Sequence, residues 1–127
     1  MPIYLYRQMK GGSKMKIEVE YKKNICIVRP KGEIIGEGSR WDLKRFLDDE
    51  IEKKECPWII LDLEGVPSMD SIALRMLVAA YTALTRKEKG LVLLNVGQDI
   101  KDLLTITALS HLFEKYDDEE EAIQSLF

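Results

Sequence analysis

Residues 59–76 have the sequence IILDLEGVPSMDSIALRM, and this stretch decides the fold. Together with Trp58, its first part is a nearly continuous apolar run that only Asp62 interrupts, which is typical of a strand covered on both faces of a sheet. Gly65 and Pro67 then end the strand, and the residues after them have the composition of a helix start. The stretch therefore predicts a strand, a tight turn and a helix.

The turn before this helix carries a hydroxyl group in a chemically useful place. Ser68 and Asp70 are both candidate N-caps, because either side chain can accept a hydrogen bond from the first free N–H groups of the helix. Ser71 therefore falls in the first helical turn, where the partial positive charge of a helix start favours a phosphate. The neighbouring Asp70 opposes that negative charge.

The flanking sequence supplies the other elements of an α/β domain. Alternation over 16–21 and an apolar run over 25–28 predict an antiparallel hairpin, and a further strand is predicted over 91–96. Helices are predicted over 39–54 with Ser39 as N-cap, over 71–89 with Gly90 as C-cap, over 100–106 and near the end of the chain, after a short extended piece at 112–113. We expect a single domain with a mixed β-sheet of about four to five strands packed by about four helices. Residues 1–14 form an extension that is either flexible or one extra strand.

The apolar residues of the two longer helices predict which faces are buried. In helix 39–54 we expect Trp41 on the apolar stripe, and Asp42 and Glu50 outside it. The core-facing residues of helix 71–89 are Leu74, Leu77, Val78, Tyr81 and Leu84. A second apolar stripe on that helix consists of Ile72, Met76, Ala79 and Ala83. One buried face does not need both stripes, so we expect Ile72 and Met76 to be at least partly exposed, unless the helix is packed on two sides.

Composition limits the class of protein. A chain of 127 residues with 46% hydrophobic residues has the size of one domain, and its net charge of −3 argues against a nucleic-acid partner. No apolar run reaches the length of a membrane span and no signal peptide is evident, so we expect a cytoplasmic protein that does not bind membranes. Cys26 and Cys56 fit no metal or redox spacing and are expected to be buried free thiols.

The sequence does not predict an enzyme. Its single histidine, His111, would have to serve any Ser-His-Asp triad, and no serine is singled out as its partner. The pair Gly36 and Gly38 lacks the third glycine and the context of a phosphate-binding loop. Asp62 and Asp70 flank the turn and suggest an acidic metal site, but strand-end and helix-cap roles explain them more simply. We therefore expect no cofactor and no metal.

Two parts of the chain resemble a known family. Residues 61–74, LDLEGVPSMDSIAL, and the downstream Thr107-Ala108-Leu109 followed by Leu112-Phe113 resemble the STAS domain of bacterial anti-sigma factor antagonists, over about residues 15–127. The resemblance implies a noncatalytic regulator of transcription whose partner is an anti-sigma factor of the serine/threonine-kinase type. In that family the turn usually reads Met-Asp-Ser-Ser-Gly or Met-Asp-Ser-Thr-Gly, and its first serine matches Ser71. The resemblance also implies phosphorylation of the hydroxyl residue just after that serine. Here that position is Ile72, and two glycines of the family pattern are Ala73 and Arg75.

A second branch of the family fits the turn better. The small scaffold subunit of the bacterial stressosome, which implies a stress response and association with other STAS proteins, resembles this chain in having Asp-Ser followed by two apolar residues. The phosphorylated serine of that branch matches Ser71, which is our candidate phosphoacceptor. The candidate partner interface consists of Pro67, Ser68, Met69, Asp70, Ser71, Ile72, Arg75, Met76 and Ala79.

Three functions follow as hypotheses. The first is a protein-interaction domain that a partner kinase switches by phosphorylation. The second is a constitutive STAS scaffold in which Ile72 prevents that modification. The third is a domain that binds a small ligand or anion at the turn and the helix start.

Overall fold

A computed structural model describes residues 3–8 and 15–127. Its elements in chain order are β1 (Ile3–Gln8), β2 (Lys16–Lys22), β3 (Ile25–Lys31), α1 (Glu37–Ile51), β4 (Trp58–Asp62), α2 (Ser71–Arg86), β5 (Leu91–Leu94), α3 (Gln98–Ile106), β6 (Lys115–Tyr116) and α4 (Glu119–Gln124). The expected α/β class with a mixed sheet and four helices is confirmed.

The sheet is ordered β1-β2-β3-β4-β5-β6. The first three strands pair antiparallel, and β3 through β6 pair parallel, with one helix in each of the connections between them. Backbone pairing of β1 with β2 extends from Ile3 opposite Tyr21 to Gln8 opposite Lys16, and this strand brings the sheet to six. The carboxyl ends of the parallel strands therefore meet at one edge, where the turn after β4 lies.

Two layers of side chains cover the sheet, and β4 contributes to both. Ile59 and Leu61 pack into the larger core with residues of α1, α2 and α3, whereas Ile60 packs into a smaller core with Ala122 of α4. All three β4 residues are fully buried, which explains the continuous apolar run in the sequence. Each such side chain contributes about 1.5 to 3 kcal/mol of burial free energy.

The start of α1 differs from the prediction. The helix begins at Glu37 with Gly36 as its N-cap at φ 86°, and Ser39 lies inside its first turn, where its hydroxyl donates to the carbonyl of Ile35 at 3.0 Å. Glycine adopts this φ without strain, so the N-cap lies three residues before the predicted one. The amide of Gly36 is bound by a side chain of the β4–α2 turn, which fixes the helix start.

The buried face of α1 also differs from the prediction. Trp41 is 60% exposed, whereas Asp42 and Glu50 are buried. Glu50 is tolerated inside because it accepts a hydrogen bond of 2.7 Å from the Tyr21 hydroxyl and pairs with Lys53 at 2.5 Å. The structure gives no partner for the buried Oδ2 of Asp42 among the described residues.

The boundaries of other elements differ from the predicted ones by a few residues. The C-cap of α2 is Lys87, and Gly90 instead precedes β5, where a Cβ atom would lie 2.9 Å from the Trp58 ring. β5 ends at Leu94 because Asn95 has φ 57°, which turns the chain out of the sheet. The short strand expected at 112–113 lies at Lys115–Tyr116, and α4 ends at Gln124.

Cys26 and Cys56 are buried free thiols, as expected, and burial raises the pKa of both. Across the described ranges, no helix has the length and apolar character needed to cross a membrane.

Candidate functional site

The turn between β4 and α2 is tied to the loop between β3 and α1. The amide of Gly32 donates to the carbonyl of Gly65 at 2.8 Å, and the amide of Ile34 donates to the carbonyl of Ser68 at 3.0 Å. The amide of Asp70 returns a bond to the carbonyl of Ile34 at 3.2 Å, which makes a short parallel bridge between Ile34 and Met69. These backbone hydrogen bonds fix the position of the turn, residues 67–71, relative to the loop between β3 and α1.

Asp70 connects the starts of the two large helices. Its Oδ1 accepts from the amide of Ala73 at 2.8 Å, which makes it the N-cap of α2. Its Oδ2 accepts from the amide of Gly36 at 3.2 Å and from Nη1 of Arg40 at 2.5 Å, and both of these residues belong to α1 or its cap. Of the two predicted N-caps, Asp70 therefore has that role, and Ser68 instead donates to Glu33 at 2.9 Å.

These contacts keep Asp70 ionised. Partial burial raises the pKa of this carboxyl group, but the hydrogen bonds from Ala73, Gly36 and Arg40 and the charge of Arg40 outweigh burial and leave its pKa below the ordinary value. A negative charge is therefore fixed beside Ser71.

Ser71 is the first residue of α2 and is exposed. Its hydroxyl makes no hydrogen bond within the described part of the chain, in contrast to Ser68. The hydroxyl is thus free to meet another molecule, and it lies at the edge of the sheet where the parallel strands end.

A groove runs between α1 and α2 next to this serine. Its volume is about 580 Å³. From α2 it is lined by Ile72, Arg75, Met76, Ala79, Ala80 and Ala83, and from α1 by residues that include Arg40, Trp41, Lys44, Leu47, Asp48 and Ile51. Small side chains on α2 make it a trough, and two large apolar side chains stand at its sides, since Ile72 is 50% and Trp41 60% exposed.

Residues 16–122 match the family model described as the STAS domain. The chain belongs to the STAS domain family. A curated relative, the anti-sigma F factor antagonist of Paenibacillus polymyxa, is 28% identical over 113 residues, which are 88% of this chain and 95% of the relative.

Two solved structures show the same STAS fold. The anti-sigma factor antagonist from Mycobacterium paratuberculosis has a TM-score of 0.77 at 22% identity, over 93% of this chain and 98% of that one. The Bacillus cell fate determinant SpoIIAA in its phosphorylated form has a TM-score of 0.70 at 19% identity, over 87% of this chain and 99% of that one. The chain is thus an STAS domain similar to the anti-sigma factor antagonists.

The structure brings most of the predicted interface residues of this STAS domain to one surface. Those that are exposed are Pro67, Ser71, Ile72, Arg75 and Ala79, and those that are partly exposed are Ser68, Asp70 and Met76. Together they form what we call the α2 surface. The expected partial exposure of Ile72 and Met76 is confirmed.

Met69 is 7% exposed and belongs to the core, because its backbone bridge to Ile34 turns the side chain inward. It supports the surface from below and does not line it.

Sequence reasoning missed the α1 wall of the groove. It placed Trp41 in the core, whereas the residue stands in solvent beside the α2 surface. The buried face of α1 is shifted away from Trp41 because Asp42 and Glu50 are buried in the folded chain, and no local signal in the sequence marks these two polar residues as buried. A hydrophobic stripe alone does not reveal that shift.

Half of the charged residues that line the groove form ion pairs. Lys44 pairs with Asp48 at 2.6 Å, and Arg40 pairs with Asp70 at 2.5 Å. Arg75 has no ion-pair partner in the part of the chain that the structure describes, and it projects from the same helix four residues after Ser71. It is the cation that can respond to a new negative charge at Ser71.

Asp62, the other acidic residue near the turn, is occupied by protein groups. Its Oδ1 accepts from the amide of Glu64 at 3.0 Å and from the side chain of Asn95 at 3.2 Å, and its Oδ2 lies 3.7 Å from Arg29. Asp62 and Asp70 thus serve separate structural networks. No group of three metal-binding side chains occurs among residues 3–8 and 15–127.

Proposed function

We propose that this STAS domain is a noncatalytic regulator that binds an anti-sigma factor of the serine-kinase type through the α2 surface. The curated relative is named as an anti-sigma F factor antagonist, which supports this class of partner. The output would be regulation of transcription in a bacterial stress response, carried out in the cytoplasm.

The observation that carries the proposal is the exposed hydroxyl of Ser71 beside an exposed apolar patch. Ile72 is 50% exposed at the head of the groove, and Met76 and Ala79 continue the patch along α2. Apolar side chains on a rigid helix, with polar groups around them, are typical of a protein-interaction surface. The backbone bonds of the turn make this surface preorganised, so little ordering is needed when a partner binds.

Phosphorylation of Ser71 would convert this surface from binding to release. A phosphoserine adds about −1.5 to −2 charges, next to the ionised Asp70 and next to Ile72. Burying that charge in an apolar interface is unfavourable, and Asp70 adds repulsion. Arg75, four residues along the same helix face, is placed to pair with the phosphate and to hold it on the surface.

Constitutive binding without phosphorylation is the second candidate function, and Ile72 favours it. Its β-branched side chain is next to Ser71, and Arg75 stands where a kinase would approach. Both side chains would hinder a kinase that has to bring its active site to the exposed hydroxyl. In that case the α2 surface still binds its partner, as in a scaffold subunit, but no switch operates.

Incubation with each serine kinase encoded near this gene, followed by mass spectrometry of the peptides, tests the switch. We expect one phosphate on Ser71 in the wild-type chain and none in the Ser71→Ala variant. Ser68→Ala is the matched control, because Ser68 is also in the turn but donates its hydroxyl to Glu33. Phosphate on Ser68, or no phosphate with any kinase that binds the domain, would contradict the switch and leave the constitutive binder.

A further inference from the structure

A basic groove lies at the end of the domain opposite the α2 surface. It is formed by Lys23 and Asn24 between β2 and β3, by residues 53–56 after α1, and by Lys87 and Lys89 after α2, and its volume is about 670 Å³. All of these segments precede parallel strands or end helices, so the groove lies at the amino ends of the parallel strands. A 16-residue helix is about 24 Å long, so α2 separates this groove from Ser71 by about that distance.

The charge of this groove contrasts with the rest of the protein. Five lysines line it, at positions 23, 53, 54, 87 and 89, with Glu55 as its single carboxylate, although the whole chain has a net charge of −3. Concentration of one charge sign in a concave surface raises the local potential and attracts the opposite charge.

Two of the five lysines have a structural role. Lys53 pairs with the buried Glu50 at 2.5 Å and lies over the Tyr21 ring, and Lys87 donates a hydrogen bond to the carbonyl of Ile51 at the end of α1. Cations at helix ends are stabilising, which accounts for these two.

The other three lysines have no such role. Lys54, Lys89 and Lys23 form no ion pair with a carboxylate in the described ranges, and the ammonium of Lys23 lies 5.4 Å from the centroid of the Phe127 ring. Three uncompensated cations next to two paired ones repel one another, so folding alone does not explain why they are grouped here.

We propose that this basic groove docks an acidic segment of a partner polypeptide. The residues that line the groove favour an acidic polypeptide over two other polyanions, a single-stranded nucleic acid and an anionic membrane surface. Its lining residues include no aromatic side chain, and the rings of Tyr21 and Phe127 lie at its margin against Lys53 and Lys23, so the groove has no row of stacking platforms of the kind that a single-stranded nucleic-acid site uses. Its lining also contains no exposed apolar side chain, the exposed Phe127 beside Lys23 is a single ring and not an apolar face that could enter a bilayer, and the groove is concave where a membrane surface is flat.

The basic groove lies beyond the carboxyl end of α2, whereas Ser71 and Ile72 are at its amino end, so occupation of the basic groove leaves the Ser71 end of the α2 surface free. A partner could therefore be held at the basic groove by charge while the α2 surface binds or releases. The expected binding is weak and sensitive to salt, since exposed ion pairs contribute about 0.2 to 1 kcal/mol each, or about 1.5- to fivefold in affinity.

The test uses a fluorescein-labelled deca-glutamate peptide and measures fluorescence anisotropy with the full-length chain. We expect binding at about 50 mM salt that weakens as salt rises toward 200 mM. The double variant Lys54→Gln/Lys89→Gln should weaken binding by about two- to 25-fold, from the range for two exposed pairs. The matched control is Lys16→Gln/Lys101→Gln, which removes the same charge from two exposed lysines outside the groove and should change affinity much less.

Other measurements in the same series can overturn the proposal. Equal weakening by both double variants would mean that only net charge matters. Tighter binding of oligothymidylate or of phosphatidylserine vesicles than of the peptide would assign the groove to a different polyanion. Self-association that depends on Lys54 and Lys89, without peptide binding, would make a second copy the occupant. The Ser71→Asp variant should bind the peptide as the wild type does, so this result is separable from the proposed function.

Discussion

Removing the Asp70 side chain should destabilise the junction of α1 and α2. In Asp70→Ala, the amide of Ala73 loses its cap, which costs about 1 kcal/mol. The amide of Gly36 and the guanidinium of Arg40 lose their acceptor as well, and since hydrogen bonds to a charged group contribute about 1.5 to 3 kcal/mol, we allow another 1 to 2 kcal/mol for this partly exposed site. The expected loss is therefore about 2 to 3 kcal/mol in the free energy of unfolding.

Denaturant unfolding at pH 7 measures this loss as a lower midpoint with an unchanged slope. Thermal unfolding should show a decrease of about 8 to 12 °C, because a domain of this size shifts by about 4 °C per kcal/mol. Asp70→Asn is the control, since asparagine caps a helix well but cannot pair with Arg40 as an anion. It should lose about 1 to 2 kcal/mol, because its Oδ1 can accept from Ala73 while its Nδ2 cannot accept from Gly36 or Arg40.

The difference between wild type and Asp70→Asn should also depend on pH. The pKa of Asp70 is lower in the folded chain than its ordinary value of about 3.9, so its stabilising contribution is present above that value and is lost as pH falls through the folded pKa. Equal stability of Asp70→Ala and wild type, or a difference from Asp70→Asn that does not shrink in acid, would refute this account of the junction.

Three further predictions concern other parts of the domain. Ile72→Ala should change stability by less than about 0.5 kcal/mol, because the side chain is half exposed, yet weaken binding of the anti-sigma factor by about tenfold or more in a calorimetric titration. Gly90→Ala should lower stability by about 1 to 3 kcal/mol in thermal unfolding, because its Cβ would lie 2.9 Å from the Trp58 ring. Arg29→Met should cost about 3 kcal/mol in urea unfolding at pH 7, because it leaves the carboxylate of the buried Glu20 without the guanidinium that binds it at 2.6 Å, and a smaller loss would mean that Lys22, 3.6 Å from the same carboxylate, replaces that partner.

The sequence predicted the elements whose signal is local. The apolar run from Trp58 predicted β4, and the turn residues with the second apolar stripe predicted both the start of α2 and the exposure of Ile72 and Met76. Each of these depends on residues close together in the chain, where periodicity and capping preferences act.

Features that depend on distant residues were not predictable in this way. Gly36 begins α1 because Asp70, 34 residues later, accepts a hydrogen bond from its amide. Glu50 is buried because Tyr21, 29 residues earlier, donates to it. The groove between α1 and α2 follows from both contacts, since they set where α1 starts and which side of it faces the sheet. For the same reason Trp41 lies in solvent beside the α2 surface.

The most direct test of the proposed switch is the affinity of the anti-sigma factor for three forms of this chain. Calorimetric titration should give the same dissociation constant for the wild type and Ser71→Ala, because the hydroxyl is free and contributes little to an apolar interface. Ser71→Asp should bind at least about tenfold more weakly, since it places a second anion beside Asp70 within that interface. Equal binding by Ser71→Ala and Ser71→Asp would contradict the switch.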